Sequence, residues 1–367
     1  MKSKTSTYVG GRQNGYAVFL TRFTDVSADV CSYLRGIEIS QVIVVVDTKV
    51  YALHTKILDR LIRGMPWKAT LLCLPISEKK KNSKTLLDVI DKIISCQVDR
   101  SSIIIAVGGG VTTDIAGCAA ALTLRGIRWG VIPTTLLGMV DAAIGGKTGV
   151  NTKFGKNLLG AFWNPQFVAL APEFTATQSD REFSDGLAEV LKYSAIVGSP
   201  SLRAIENALS DRSGIDGKTL AKLVFDSAKV KANIVSKDPR EQGVRAWLNF
   251  GHTFAHAIEA TAGYGAISHG RAVAAGIIAA LSLSQSLGML VDGKVERIAT
   301  SARSIATGKA VPIDIRSAIQ AMGFDKKRVK NQLNFVLLQR VGEPYLRPVS
   351  DRRLVYRSME FALDALK

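Results

Sequence analysis

The chain has 367 residues, 47% of them hydrophobic, and a formal net charge of +17. That length exceeds the usual single domain, and the apolar content excludes a disordered chain, so two domains with sizeable cores are expected. The basic excess suits nucleic acid, an anionic membrane surface or acidic metabolites, and because it is spread along the chain without an RNA- or DNA-binding motif, charge alone does not choose. Cys31, Cys73, Cys96 and Cys118 are far apart and form no CxxC pair, which predicts reduced thiols and no structural zinc knuckle. Residues 1–22 hold early lysines but no continuous apolar core of the kind a secretory signal needs, and the longest apolar run, 272–281, is too short to span a bilayer. A soluble cytoplasmic protein is expected.

Short β-branched runs predict strands at 16–20 and 41–46, the second ending on Asp47. Helical spacing follows over 48–62, strand over 69–74, helix over 85–94 and strand over 102–107. This βαβαβ alternation predicts a parallel, Rossmann-like sheet flanked by helices, with its ligand crevice at the carboxyl ends of the strands. Asp47, the 78–81 segment and Gly108 all fall at such ends. The last strand runs into Gly108, Gly109 and Gly110 before a helical stretch over 111–122. Glycines there let backbone amides approach a pyrophosphate at a helix N-terminus, although the spacing is not GxGxxG and a tight turn is the alternative reading. A strand over 126–133 ends at Thr134 and Thr135. Beyond Asp141 the chain becomes rich in Gly, Lys and Asn, and Lys147, Lys156 and Asn157 offer donors suited to phosphate or carboxylate, or simply a solvated basic loop.

From Arg181 onward long helical patterns replace the alternation: 182–196, 202–209, 218–236, 245–260 and 271–287. A strand over 333–338 and a helix over 354–366 close the chain. The boundary falls near 174–180, giving an α/β domain over 1–178 and a mainly α-helical domain over 179–367. Lys231 interrupts an otherwise apolar helical stripe, and Glu189 and Lys192 face together one turn apart. Three of the four histidines lie between 252 and 269. Read as one helix over 243–260, Glu241, Arg245, Asn249, His252 and His256 share a face, which is costly to bury without a ligand and places imidazoles where a metal could be held.

The segments GGGVTTDIAG, RGIRWGVIPTTLLGMVDAAIGGKTGVN, GKNLLGAFWNP, REFSDGLAEVLKYSAI, RAWLNFGHTFAHAIE and SHGRAVAAGI, in this order, resemble the 3-dehydroquinate synthase family, the sugar-phosphate cyclases of the shikimate pathway. The resemblance covers nearly the whole chain. It implies conversion of 3-deoxy-D-arabino-heptulosonate 7-phosphate to 3-dehydroquinate and phosphate through NAD-mediated oxidation, phosphate elimination, reduction and intramolecular aldol closure. It implies zinc, or cobalt or another divalent metal, on Glu189, His252 and His269, and an active site in the cleft between the domains.

By the same resemblance NAD touches Asp47, Glu78, Lys81, Gly109, Gly110, Val111, Asp114, Thr134, Thr135, Asp141, Lys147 and Lys156. Catalytic roles fall to Asp141, Lys147, Lys192, Glu241, Asn249 and His256. Substrate is held by Lys156, Asn157, Lys231, Arg245 and one of Lys326 or Lys327, the latter preferred, while Arg125 reaches a neighbouring subunit's site and so implies a homodimer. Thr113 and Cys118 stand where the family has Gly and Phe, Ala142 and Ala143 replace small polar residues, and Lys49 replaces a common Asn. The rival readings are another NAD- and metal-dependent cyclase or a polyol dehydrogenase, and, from a different class, a basic nucleic-acid-binding protein on an enzyme fold. The resemblance points to a small-molecule partner, with no nucleic acid and no membrane.

Overall fold

A computed structural model of the chain describes residues 5–11, 15–263, 265–289, 293–322 and 333–367; Lys326 and Lys327 lie outside these. Two compact units result, one running to Ser179 and taking in Leu220–Ser236, the other comprising Asp180–Thr219 and Lys237–Lys367. The sequence drew its line at 178/179 and gave everything beyond it to the second domain. Leu220–Ser236, most of one later helix, pack with the first unit.

In the first unit, strands β1 (Ser6–Val9), β2 (Tyr16–Leu20), β3 (Gln41–Asp47), β4 (Lys68–Leu74), β5 (Ile103–Gly108), β6 (Arg128–Pro133) and β9 (Phe167–Leu170) form one sheet in the order β1-β2-β9-β6-β5-β3-β4. All pairings are parallel except β1 with β2. The centre explains itself: Val42 to Val46 and Ile103 to Val107 are fully buried, as continuous apolar runs must be when helices cover both faces. The helices are α1 (Val26–Leu34), α2 (Thr48–Arg63), α3 (Ser83–Ser95) and α4 (Gly110–Leu122). Asp47 starts α2 by accepting the amides of Lys49 and Val50, and Asn82 starts α3 by accepting that of Thr85.

The Gly/Lys/Asn-rich stretch after Asp141 is not a loop. It forms an antiparallel hairpin of β7 (Lys147–Thr152) and β8 (Gly155–Phe162), with Gly149 opposite Gly160. Near its tip it is tied to the connection between β4 and α3, since the Asn151 amide donates to the Lys81 carbonyl at 2.9 Å.

The second unit holds α5 (Asp180–Val197), α6 (Leu202–Ser210), α8 (His252–Ala262), α9 (His269–Ser286), α10 (Lys294–Ala306), α11 (Ile315–Met322), a hairpin of β10 (Leu333–Arg340) and β11 (Glu343–Val349), and α12 (Arg352–Asp364). The intervening helix α7 (Gly217–Lys237) contributes residues 220–236 to the first unit. Helix α9 is the axis. It is alanine-rich, buried nearly all round, and packs against α5, α8, α10, α12 and β10.

The single helix expected over 243–260 is broken in two. Residues Val244–Asn249 form a 3-10 turn, Phe250 leaves helical geometry, Gly251 adopts φ +78°, and α8 begins at His252. The break is imposed from outside the segment. A Cβ on Gly251 would lie 2.8 Å from the Ile277 amide nitrogen, and one on Gly276 would lie 2.1 Å from the Gly251 carbonyl oxygen. The two backbones touch, so the chain turns sharply there to run along α9.

Candidate active site

Glu189 sits in the middle of α5, while His252 and His269 are the first residues of α8 and α9. One ligand atom from each lies within 4.8 Å of the others. The Nε2 atoms of His252 and His269 stand 3.4 and 3.3 Å from Glu189 Oε1, and the Lys192 ammonium pairs with Oε2. Glu189 is completely buried, and neither of its oxygens accepts a well-formed hydrogen bond. A carboxylate in that state is costly. Two imidazole nitrogens and a carboxylate oxygen, converging with positions left for water or substrate oxygens, are the donor set of an open divalent-metal site. The residues therefore fit the metal.

The electrostatics point the same way. Burial pushes the Glu189 carboxyl up, but Lys192 and His252 more than offset it and hold the group well below the usual range. Burial lowers His252 against the pull of Glu189. Burial also works to lower His269, yet Glu189 and Glu259 on its two ring nitrogens raise it to about 10. A buried imidazole faced by a carboxylate on each ring nitrogen marks a place suited to a cation.

The helix starts are held by contacts with neighbouring backbone and side chains. Ser268 donates to Asp185 Oδ1 at 2.8 Å and accepts from Arg181 Nη2 at 2.6 Å, so α9 is fastened to α5 one turn before Glu189. Beside it Gly270 lies against the α5 backbone, where a Cβ would sit 2.2 Å from Asp185 Cα. His252 is oriented by its Nδ1, 3.2 Å from the Phe250 carbonyl oxygen. The sequence reading missed Glu259; its signal was the spacing 252, 256, 259 along one face of α8.

Leading into His252 is a loop folded around Asp238, whose carboxylate accepts the amides of Gln242, Gly243 and Arg245 at 2.7–3.0 Å. Arg245 is buried and its Nη1 donates to the Pro239 carbonyl at 2.5 Å; Asn249 Nδ2 donates to Glu241 Oε1 at 2.6 Å. His256 is exposed, its ring edge-on to His252 at 5.5 Å between centroids. Glu241, Arg245, Asn249, His252 and His256 are thus gathered by a loop, a 3-10 turn and a helix start, and not by one helical face.

In the first unit, Gly109 caps α4 and the Thr134 amide donates to the Gly108 carbonyl at 3.0 Å, so the glycine turn and the end of β6 are joined. Gly110 and Val111 open the helix, and Thr135 Oγ1 accepts the Gly138 amide at 3.0 Å. Lys81 donates to Asp114 at 2.5 Å and to Asn157 Oδ1 at 2.6 Å. Burial raises the Asp114 carboxyl, with Lys81 opposing. Glu78 accepts from Asn151 Nδ2 at 3.0 Å. The Asp47 carboxylate is turned onto backbone, its second oxygen taking the Ile76 amide at 3.0 Å. Asp141 lies on a π turn, Gly138–Ala142, and is gripped by buried Lys231. Lys147 and Lys156 belong to the hairpin strands, Lys147 exposed and Lys156 half-buried, and exposed Arg125 ends a turn at φ +65°. Of the family departures, Thr113 Oγ1 donates to the Gly110 carbonyl at 2.9 Å and Cys118 is buried.

Residues 71–185 match the family described as 3-dehydroquinate synthase N-terminal, and residues 186–328 that described as 3-dehydroquinate synthase C-terminal. A 3-dehydroquinate synthase of Psychrobacter cryohalolentis is 39% identical over 326 residues, covering 88% of this chain and 87% of its own. A crystal structure of 2-deoxy-scyllo-inosose synthase complexed with carbaglucose-6-phosphate, NAD+ and Co2+ superposes with a TM-score of 0.85 at 25% identity, covering 97% of this chain and 99% of its own. The fold is shared with 2-epi-5-epi-valiolone synthase from Streptomyces hygroscopicus subsp. jinggangensis, solved with NAD+ and Zn2+, at a TM-score of 0.84 and 24% identity, covering 96% of this chain and 98% of that one. With identity near 40% sustained over most of both chains, and the metal-type donor set intact on its three helices, the chain belongs to the 3-dehydroquinate synthase family.

Proposed function

We propose that the chain catalyses the 3-dehydroquinate synthase reaction, turning 3-deoxy-D-arabino-heptulosonate 7-phosphate into 3-dehydroquinate and phosphate as a lyase of the shikimate pathway. The observation that carries this is the convergence of Glu189, His252 and His269 in a chain of this family. When bound, NAD supplies a hydride acceptor that is restored within each turnover, and zinc or cobalt a Lewis acid for the hydroxyl being oxidised.

The chain's own residues bind, orient and shuttle protons. Arg245, held by Asp238 and Pro239, presents a guanidinium for the substrate carboxylate; Lys156, Asn157 and Lys192 supply donors for its phosphate and hydroxyls. Lys231 steadies Asp141, so that carboxylate meets cofactor and substrate in one orientation. Asn249 pins Glu241, which relays a proton near Arg245, and His256 stands beside the metal ligand His252. The glycine turn with Thr134, Thr135, Asp114 and Lys81 faces NAD. In this reading residues 1–178 carry NAD and 179–367 carry metal and substrate, with Lys231 reaching substrate from the helix grouped with the first unit, and one substrate is handled by both sets.

A homodimer is part of the same proposal. Leu122, Leu124, Phe154, Leu158, Leu159 and Phe162 are exposed on α4, the turn after it that Arg125 ends, and the β7–β8 hairpin. No helix among the described residues is long and apolar enough to cross a membrane, and a cytoplasmic location is proposed with the pathway.

The test begins with nucleotide-free protein, the seven-carbon sugar acid phosphate, zinc and NAD far below substrate. Many phosphates released per NAD, with no NADH accumulating, is the expected result. Stoichiometric NADH moves the chain to a polyol dehydrogenase, and absence of phosphate release moves it to another cyclase.

A further inference from the structure

The two imidazoles of the metal-type site are oriented by different means. His252 Nδ1 faces a main-chain carbonyl, whereas His269 Nδ1 lies 3.5 Å from Oε1 of Glu259, and its Nε2 is turned to Glu189. The His269 side chain is 34% exposed, so packing alone does not lock its ring. Glu259 is 3% exposed and comes from the second turn of α8, the helix that His252 begins. A buried carboxylate needs a polar partner of opposite character, and an imidazole N–H aimed at it is one.

We infer that Glu259 is a positioning residue for the metal centre, its carboxylate fixing the tautomer and ring direction of His269 so that Nε2 is the atom offered to the ion. This rests on the metal reading above. A carboxylate behind a ligating imidazole also makes the far nitrogen a stronger donor, and removing such a partner costs 10–100-fold in metal affinity. Because Glu259 and His252 share α8, the same helix supplies one ligand directly and orients another.

The experiment uses metal-depleted full-length protein and measures Zn2+ affinity by competition with a chromogenic chelator, in wild type, Glu259→Gln and Glu259→Ala. Thermal melting of each metal-free variant and the visible spectrum of its Co2+ form are recorded alongside. The expected result is a loss of about 10–100-fold for Glu259→Ala, a smaller loss for Glu259→Gln, and altered cobalt bands at little change in metal-free melting. If Glu259→Ala does not fold, the near-isosteric Gln variant carries the test through its cobalt spectrum and zinc affinity. Zinc affinity within twofold of wild type and unchanged cobalt bands overturn the inference while leaving the metal site standing. Wild-type protein that binds no zinc overturns the metal reading itself.

Discussion

Lys231 Nζ donates to Asp141 twice, at 2.6 Å to its carbonyl oxygen and 2.8 Å to its carboxylate. One side chain thereby fixes both the π turn that carries Asp141 and the direction of the acid. Lys231→Met should lower stability by about 1–3 kcal/mol, the range for stranding a poorly exposed polar partner. Asp141→Asn should cost less, and the double variant less than the two together, with a coupling of about 1 kcal/mol. Urea unfolding of the four proteins checks this; strict additivity counts against a direct pair.

Gly270→Ala should disturb the metal centre without touching a ligand. Its methyl would press on Asp185 Cα, which is main chain and cannot swing away. Overpacking of this kind costs about 1–3 kcal/mol, and here it displaces the start of α9 where His269 sits. Bound zinc measured by atomic absorption should fall. Gly217→Ala, where an added Cβ meets nothing within 4 Å, should keep full zinc.

His252→Ala and His269→Ala should each reduce zinc well below one per chain and abolish turnover. His54→Ala should retain zinc, because His54 is bonded to Thr177 at 2.9 Å between Phe23 and Phe174 in the first unit. Its loss is expected in melting temperature instead. Full metal in both ligand variants would sink the assignment.

Asp238 sets an acid limit on the loop that presents Arg245. The Gln242 amide above all, with those of Arg245 and Gly243, holds its carboxyl below the ordinary value against the effect of burial. A depressed folded-state pKa means the unfolded chain binds the proton more readily. The stabilisation is therefore complete above the unfolded value, about 3.9, and disappears as pH falls through the lower folded value. Urea midpoints measured from pH 6 downward should drop less steeply in Asp238→Asn than in wild type.

Gly109→Val tests the nucleotide edge. Its Cβ would come within 3.1 Å of Thr135 Cγ2, and the branches beyond it would fill the space in front of the turn. NAD binding by calorimetry should be lost while zinc remains, and activity should follow the nucleotide. Normal NAD affinity removes the turn from the cofactor site.

The parallel strands could be read directly because burial on both faces leaves a continuous apolar run, as in residues 42–46 and 103–107. The clustering of three of the four histidines pointed to a metal, but the choice of Glu189, on a different helix, with His252 and His269 was implied only by the family resemblance. The hairpin over 147–162 was not, since β8 is largely exposed and glycine-rich and so carries no alternation. The break before His252 escaped for a different reason. What demands it is Gly276, twenty-five residues further on, and spacing within 243–260 holds no trace of that contact. Lys231 stood out as a charge on an apolar stripe, but its partner Asp141 is ninety residues away.

The meeting of Gly251 and Gly276 has a consequence for how the ion is used. Main chain touching main chain sets where His252 stands relative to α9, so in the proposed metal site the place of this donor does not depend on the ion. A cage built this way is a socket and not a clasp. Chelation should therefore leave a folded, inactive and reloadable protein, and ions of similar size should replace one another without unfolding it.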